Sequence, residues 1–320
     1  MRIALLGFGH VGRALARLLV DTRGRHPFAV TAILTGHHGA LVDPQGIDLE
    51  RALARDGFDN ASVAELPADA IVEMTTLDVR TASAGLAYIR GALSSRKHVV
   101  TSNKGPIALA HRELTTLAEE RGVFLRYEAT VADCLPLFDL ARGVLPLAQI
   151  RSIRGVFNST TNHLLTAVAG GAPFAGALAE AQHLGIAEAD PRNDLEGWDA
   201  AAKAAILANT LMGADLVPGD VTRIAIDESV ASLAHFVAAQ GDRIRPVVEI
   251  VREGGRVRAA SAPTRLTPLD PLFAVDGFSM GAVIETDLAG RIAVQLHEPR
   301  VAQTAYALLT DLLEIASVRP

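Results

Sequence analysis

Residues 3–19 read Ile3-Ala4-Leu5-Leu6-Gly7-Phe8-Gly9-His10-Val11-Gly12-Arg13-Ala14-Leu15-Ala16-Arg17-Leu18-Leu19. Four apolar residues long enough for a buried strand run into glycines at 7, 9 and 12, and an amphipathic helical pattern follows. This is G-x-G-x-x-G between a strand and a helix, the arrangement that binds a dinucleotide. Gly7 permits the tight turn, Gly9 lets backbone approach a pyrophosphate, and Gly12 lets helix pack closely on strand. The helix N-terminus then presents unpaired N–H groups and its positive dipole end to the phosphates. Gly7, Phe8, Gly9, His10, Val11 and Gly12 are therefore the first candidate cofactor contacts, for a nicotinamide dinucleotide.

A second apolar strand, Phe28 to Leu34, strengthens the motif and bears on which dinucleotide is held. A site for the ribose 2′-hydroxyl of NAD should end this strand in an acid. Here Leu34 is followed by Thr35-Gly36-His37-His38-Gly39, with no acid until Asp43. The absence leans towards NADP over NAD, with His37, His38 or Arg13 as partners for the 2′-phosphate. The other reading makes the histidine pair an exposed turn.

Working outward, apolar runs alternate with helical patterns. Residues 70–75 form a strand ending at Thr75-Thr76, and Thr81 to Ser94 read as a helix. His98 to Lys104 is a strand opening into a polar loop, Ala110 to Arg121 a helix, and Val123 to Tyr127 a strand. That rhythm predicts an α/β domain of Rossmann type, with a doubly wound parallel sheet. Ligands bind beyond the carboxyl ends of such strands, which places Thr75, Thr76, Asn103 and Lys104 beside the cofactor.

After about residue 130 the pattern changes. Strands are expected at Ile150–Phe157, Val247–Val251, Arg256–Ala260 and Ile292–Gln295, with a glycine hairpin turn at Glu253-Gly254-Gly255. Helices are expected at Asn162–Ala169, Phe174–Leu184 and Ala200–Met212. The organisation is a dinucleotide-binding domain over 1–130 and an α+β substrate-binding and dimerisation domain over 131–301. A C-terminal helix over 302–320 is expected to return to the first domain.

Composition narrows the function. The chain has 320 residues and is 49% apolar, enough for two cores, while a net charge of −6 argues against general nucleic-acid binding and a polybasic membrane patch. No apolar run approaches the ~18 residues of a membrane span. The N-terminus has no signal-peptide pattern, and Cys134 has no second cysteine to pair with. The expectation is a soluble, cytoplasmic protein.

One polar stretch stands apart from the apolar background. Residues 185–203, GIAEADPRNDLEGWDAAAK, gather Glu188, Asp190, Asp194, Glu196, Asp199 and Lys203 before an apolar helix. Asp199 and Lys203 are four residues apart and share a helix face. Carboxylates that grip an ammonium, beside a lysine whose proton can move, suit an active site. The alternative is an acidic loop capping an ordinary helix, with Lys203 in a surface ion pair.

Taken in order, the motifs resemble homoserine dehydrogenases over nearly the whole chain. The matching stretches are Gly7–Gly12, Val99–Pro106, Tyr127–Val131, Asn158–Asn162 and Gly185–Lys203. The resemblance implies interconversion of L-homoserine and L-aspartate 4-semialdehyde with NAD or NADP, on the route to threonine and methionine. It implies Lys203 and Lys104 in proton transfer, and Glu188, Asp194 and Asp199 on the substrate. Thr75, Thr76 and Asn103 become cofactor contacts, and a homodimer is expected. With the chain ending at Pro320, no C-terminal regulatory domain is expected.

Three departures from the family pattern bear on specificity. Asn158-Ser159-Thr160 stands for Asn-Gly-Thr. Ala132-Asp133-Cys134 stands for a glycine-rich step, and Leu296 to Ala302 stands for Gly-x-Gly-Ala-Gly. Each puts a larger side chain where backbone is expected to approach a ligand. They fit another small amino-acid aldehyde as substrate, a divergent enzyme whose backbone tolerates them, or a dinucleotide-binding protein without turnover. The family often holds a monovalent cation on carbonyls just after the Tyr-Glu strand, where Asp133 now falls. The cation, and any other metal, stays open.

Overall fold

The computed structural model describes residues 1–36, 39–54, 66–76, 81–184, 187 and 190–318. They form two units: Met1–Cys134 together with Arg300–Pro320, and Leu135–Pro299.

The first unit opens with β1 (Arg2–Leu6), α1 (His10–Asp21) and β2 (Ala29–Thr35). It continues through β3 (Gly39–Val42), α2 (Leu49–Leu53), β4 (Ala70–Glu73), α3 (Ser83–Ser94) and β5 (His98–Thr101). α4 (Lys104–Arg121), β6 (Leu125–Arg126) and the short α5 (Ala129–Ala132) follow. The sheet order is β3-β2-β1-β4-β5-β6. From β2 to β6 neighbouring strands are parallel, while edge strand β3 is antiparallel to β2, so the sheet is not wholly parallel. Only three residues lie between Thr35 and Gly39, and a parallel crossover needs a dozen or more. Chain order reverses at β1, where β2 lies on one side and β4 on the other. That switch point is where doubly wound sheets take their ligands.

The second unit runs α6 (Leu137–Val144), β7 (Ile150–Val156), α7 (Ser159–Ala169), α8 (Phe174–His183), α9 (Arg192–Leu195) and α10 (Trp198–Met212). It closes with β8 (Thr222–Arg223), α11 (Glu228–Ala238), β9 (Arg243–Glu253), β10 (Arg256–Leu266), β11 (Met280–Thr286) and β12 (Arg291–Leu296). The order β12-β11-β7-β9-β10-β8 is antiparallel except where β8 meets β10. Gly254 (φ +54) and Gly255 (φ +80) make the β9–β10 turn. Positive φ at both central residues matches the right-handed twist of the paired strands.

Helix α10 explains the odd sequence of a lysine among alanines. Ala200 to Ala202 and Ala204 to Ala208 are all buried, so this helix is covered on nearly every side. Its small side chains let it pack closely in the interior, and its two charged residues are carried inside with it.

The last helix, α12 (Val301–Ser317), belongs to the first unit. Ala305, Leu308, Leu309, Leu312 and Ile315 join Leu15 and Leu19 of α1 in one apolar core. Polar links fix its register: Asp311 Oδ2 accepts from the Glu128 N–H at 3.0 Å, and Glu314 holds the Arg126 guanidinium at 2.8 Å. No described helix is long and apolar enough to cross a membrane.

Candidate active site

The glycine turn has the steric demands its pattern implies. Gly7 sits at φ +96, and a Cβ there would lie 2.4 Å from the Met74 carbonyl oxygen. A Cβ on Gly12 would lie 2.4 Å from the Gly7 oxygen, so α1 presses directly on the turn. Gly9 is different, because its Cβ would meet no protein atom within 4 Å. The fold itself does not require glycine there; a ligand backed onto the main chain would. Gly9 is also the N-cap of α1 and offers no capping side chain to its first-turn N–H groups. These are the features of a pyrophosphate cradle. Arg13 donates to the Leu53 carbonyl at 2.8 Å and lies over the Phe8 ring. His37 and His38 lie outside the described residues.

Beyond β4 and β5 the loops are organised by a residue the sequence reading passed over. Glu73, the last residue of β4, is fully buried. Its Oε1 accepts from the Thr75 N–H at 2.9 Å, the Thr75 hydroxyl at 2.5 Å and Asn103 Nδ2 at 3.3 Å. Its Oε2 accepts from the Thr101 hydroxyl at 2.7 Å. Asn103 Oδ1 caps α4 by accepting from the Gly105 N–H at 3.3 Å. The side chains of Thr75 and Asn103 thus turn inward to Glu73, Thr76 is exposed, and Lys104 is the first residue of α4. Helix α4 begins six residues before the expected Ala110 because that residue is a kink (φ −138, ψ 30) joining two helical segments. Pro106 is tolerated in its first turn, where the missing N–H costs nothing.

In the second unit Asp199 and Lys203 meet as their spacing implies. Lys203 Nζ lies 2.9 Å from Asp199 Oδ2 and donates to the Phe157 carbonyl at 2.5 Å. Their side chains are 12% and 9% exposed, which removes the reading as a solvated surface pair. Asn158 joins the cluster by donating both Nδ2 hydrogens, to Asp194 Oδ1 at 2.7 Å and to Asp199 Oδ2 at 2.9 Å. Its Oδ1 accepts from the Thr161 N–H at 2.8 Å and the Thr161 hydroxyl at 2.9 Å, which caps α7. Every donor and acceptor of that amide is used, so its orientation follows from its partners.

The result is a chain Asp194–Asn158–Asp199–Lys203: two carboxylates and one ammonium around one amide. Gly197 (φ +77) starts α10 and aims Asp199 inward, while Trp198 stacks under the Arg223 guanidinium at 3.5 Å. Asp190 instead pairs with Arg192 at the surface, and Glu188 lies outside the described residues. Neither Asn158 nor the Phe157 carbonyl had a predicted role of its own. Asn158 could have been found, since it precedes Ser-Thr-Thr at a helix start. A backbone carbonyl carries no side-chain signal.

The departures from small residues resolve into two kinds. Ser159 occupies the first position of α7 without positive φ, and its hydroxyl donates to the Phe278 carbonyl at 3.0 Å. Asp133 (φ +52) and Glu298 (φ +44) hold conformations that favour glycine. Asp133 accepts from the Thr304 hydroxyl at 2.6 Å. Burial, with the nearby Asp133 and Glu128 charges, pushes the Cys134 thiol above its ordinary value.

A dinucleotide cradle at the switch point of a doubly wound sheet, in a chain that also buries a lysine–carboxylate pair, defines the class as a nicotinamide-dependent dehydrogenase. The model of the homoserine dehydrogenase family matches residues 136–313. The chain is 35% identical to a homoserine dehydrogenase of Methanocaldococcus jannaschii, covering 98% of each chain. It is 33% identical to an NAD(+)-dependent homoserine dehydrogenase of Pseudomonas canavaninivorans, covering 98% of this chain and 96% of that one. Among solved structures, a hyperthermophilic archaeal homoserine dehydrogenase in complex with NADPH superposes with a TM-score of 0.83. It is 27% identical, with 100% of this chain and 98% of that one covered. The chain belongs to the homoserine dehydrogenase family.

Proposed function

We propose that this chain interconverts L-homoserine and L-aspartate 4-semialdehyde with NAD(P), and that Lys203 carries the proton. The observation that supports this most is the buried Lys203–Asp199 pair held against the Phe157 carbonyl. A lysine ammonium has three N–H donors. Asp199 and Phe157 take two of them here, which leaves the third for a substrate oxygen.

The nicotinamide, when bound, supplies a hydride to the aldehyde carbon or takes it back from the alcohol. The pyrophosphate is assigned to Gly7–Gly12, with Glu73 holding the Thr75 and Asn103 loops in place. During reduction, negative charge grows on the carbonyl oxygen, and the Lys203 ammonium stabilises it and gives it a proton. During oxidation the same nitrogen receives the hydroxyl proton. Lys104 is the second proton-transfer candidate.

Two carboxylates against one lysine leave the cluster net negative, which suits an amino-acid ammonium. Asp194, Asp199 and Glu188 are assigned to that group, with Asn158 as the residue that positions Asp194 and Asp199. NADP is the proposed preference, because β2 ends in Thr35-Gly36 without an acid. A homodimer and a cytoplasmic location belong to the same proposal.

The test is oxidation of L-homoserine by the purified protein, followed by reduced-nicotinamide absorbance, separately with NAD and NADP. Turnover with the higher kcat/KM for NADP is expected. Binding of either cofactor without turnover would overturn the activity and favour the non-catalytic reading or another amino-acid alcohol.

A further inference from the structure

A cavity of about 400 Å³ in the second unit lies apart from the Lys203 cluster and is lined in part by a buried arginine. Its walls include Thr166 of α7, His235 of α11, Arg243 and Arg245 of β9, and Asp276. Residues two apart on a strand point to the same face, which is why both arginines reach it.

Arg245 is 2% exposed. Its Nη1 donates to the Thr166 hydroxyl oxygen at 2.6 Å and its Nη2 to the Phe273 carbonyl at 3.1 Å. Both acceptors are neutral, and Nε meets no acceptor. A guanidinium has five N–H donors in a planar fork matched to two oxygens of one carboxylate or phosphate. Burial pushes the Arg245 pKa down to about 10, Asp276 acts against that shift, and Arg243 adds to it. The side chain therefore stays charged at neutral pH. A buried cation bonded only to neutral oxygens is costly unless an anion completes it.

Arg243 adds a second positive charge at the cavity. Its guanidinium lies 5.4 Å over the Phe273 ring and donates to the Asp242 carbonyl at 3.2 Å. Asp276 is exposed and acts on Arg245 through its charge, while the hydrogen bonds of Arg245 go to Thr166 and Phe273. We propose that this cavity binds a small oxyanion through Arg245 and Arg243, a carboxylate in preference to phosphate. The preference follows from Asp276, which repels a phosphate dianion more strongly than a carboxylate monoanion. The site is independent of the activity proposed above, because none of its residues belongs to the Lys203 cluster.

The test is thermal unfolding of the full chain with acetate, glycine or inorganic phosphate, against chloride at matched ionic strength, with affinities from calorimetry. Acetate and glycine should raise Tm as any ligand of the native state does. The rise should persist in Lys203→Met, which separates it from carboxylate binding at the active site. Arg243→Ala should weaken acetate at least tenfold, and Arg245→Met should abolish its effect. Should Arg245→Met fail to fold, Arg243→Ala decides alone. A rise that chloride reproduces, or that survives Arg243→Ala unchanged, would overturn the site. Phosphate binding more tightly than acetate would overturn the stated preference and assign the cavity to phosphate compounds.

Discussion

Glu73 in the first unit and Asp199 in the second are both buried carboxylates within short polar networks, and the two are used differently. Glu73 accepts only from neutral donors: a backbone N–H, two hydroxyls and an amide. Asp199 accepts from one amide and holds a lysine. The first arrangement fixes backbone, because it ties the loops after β4 and β5 to a single point. The second fixes the proposed proton carrier, because it sets where Lys203 Nζ sits. Burial of an acid alone does not mark a reacting group; the identity of its donors separates scaffold from chemistry.

That contrast breaks down if the two acids respond alike to loss of charge. Asp199→Asn should have the larger effect, since it leaves Lys203 buried without a counter-ion. Breaking a buried pair costs about 3–5 kcal/mol, and misplacing the acid should lower kcat by about 10². Urea unfolding and steady-state kinetics read the two effects, and an unchanged kcat would remove Asp199 from the machinery. Glu73→Gln should cost about 1–3 kcal/mol by leaving one of its donors unmatched. It should raise KM for the cofactor while kcat at saturation holds; a collapse of kcat instead would make Glu73 part of the chemistry.

The smallest effects sharpen the same point at the strained positions. A non-glycine residue in the left-handed region costs about 1–2 kcal/mol. Glu298→Gly should relieve that strain at little loss and raise Tm slightly. Asp133→Gly should gain less, because the hydrogen bond from Thr304 goes with the side chain. A larger rise for Asp133→Gly would show that this bond contributes nothing.

The sequence was most legible where a pattern was local. Gly7–Gly12 announced strand, turn and helix together, and the spacing of Asp199 and Lys203 put them on one face. Edge strand β3 was missed because Gly39-Ala40-Leu41-Val42 is short and follows a His-Gly turn that reads as loop. β11 was missed because Met280-Gly281-Ala282-Val283-Ile284 is buried on both faces and has no alternation to read. α11 was recoverable, since the Asp227 carboxylate caps it through Ser229 and Val230, and Ala231, Ala234 and Val237 follow at helical spacing. Glu73 was hidden at the end of an apolar strand, its partners Thr101 and Asn103 lying 28 and 30 residues away. Such long-range hydrogen bonds leave no trace in spacing.

Whether Lys203 moves the proton is decided by Lys203→Met. Single-turnover oxidation of L-homoserine should slow by about 10²–10⁴ relative to the parent, since general acid–base help is worth that much. Cofactor affinity measured on the same protein should stay within twofold, roughly half a kcal/mol. A variant that turns over near the parent rate would contradict the account and pass the proton-transfer role to another group, with Lys104 the first to examine.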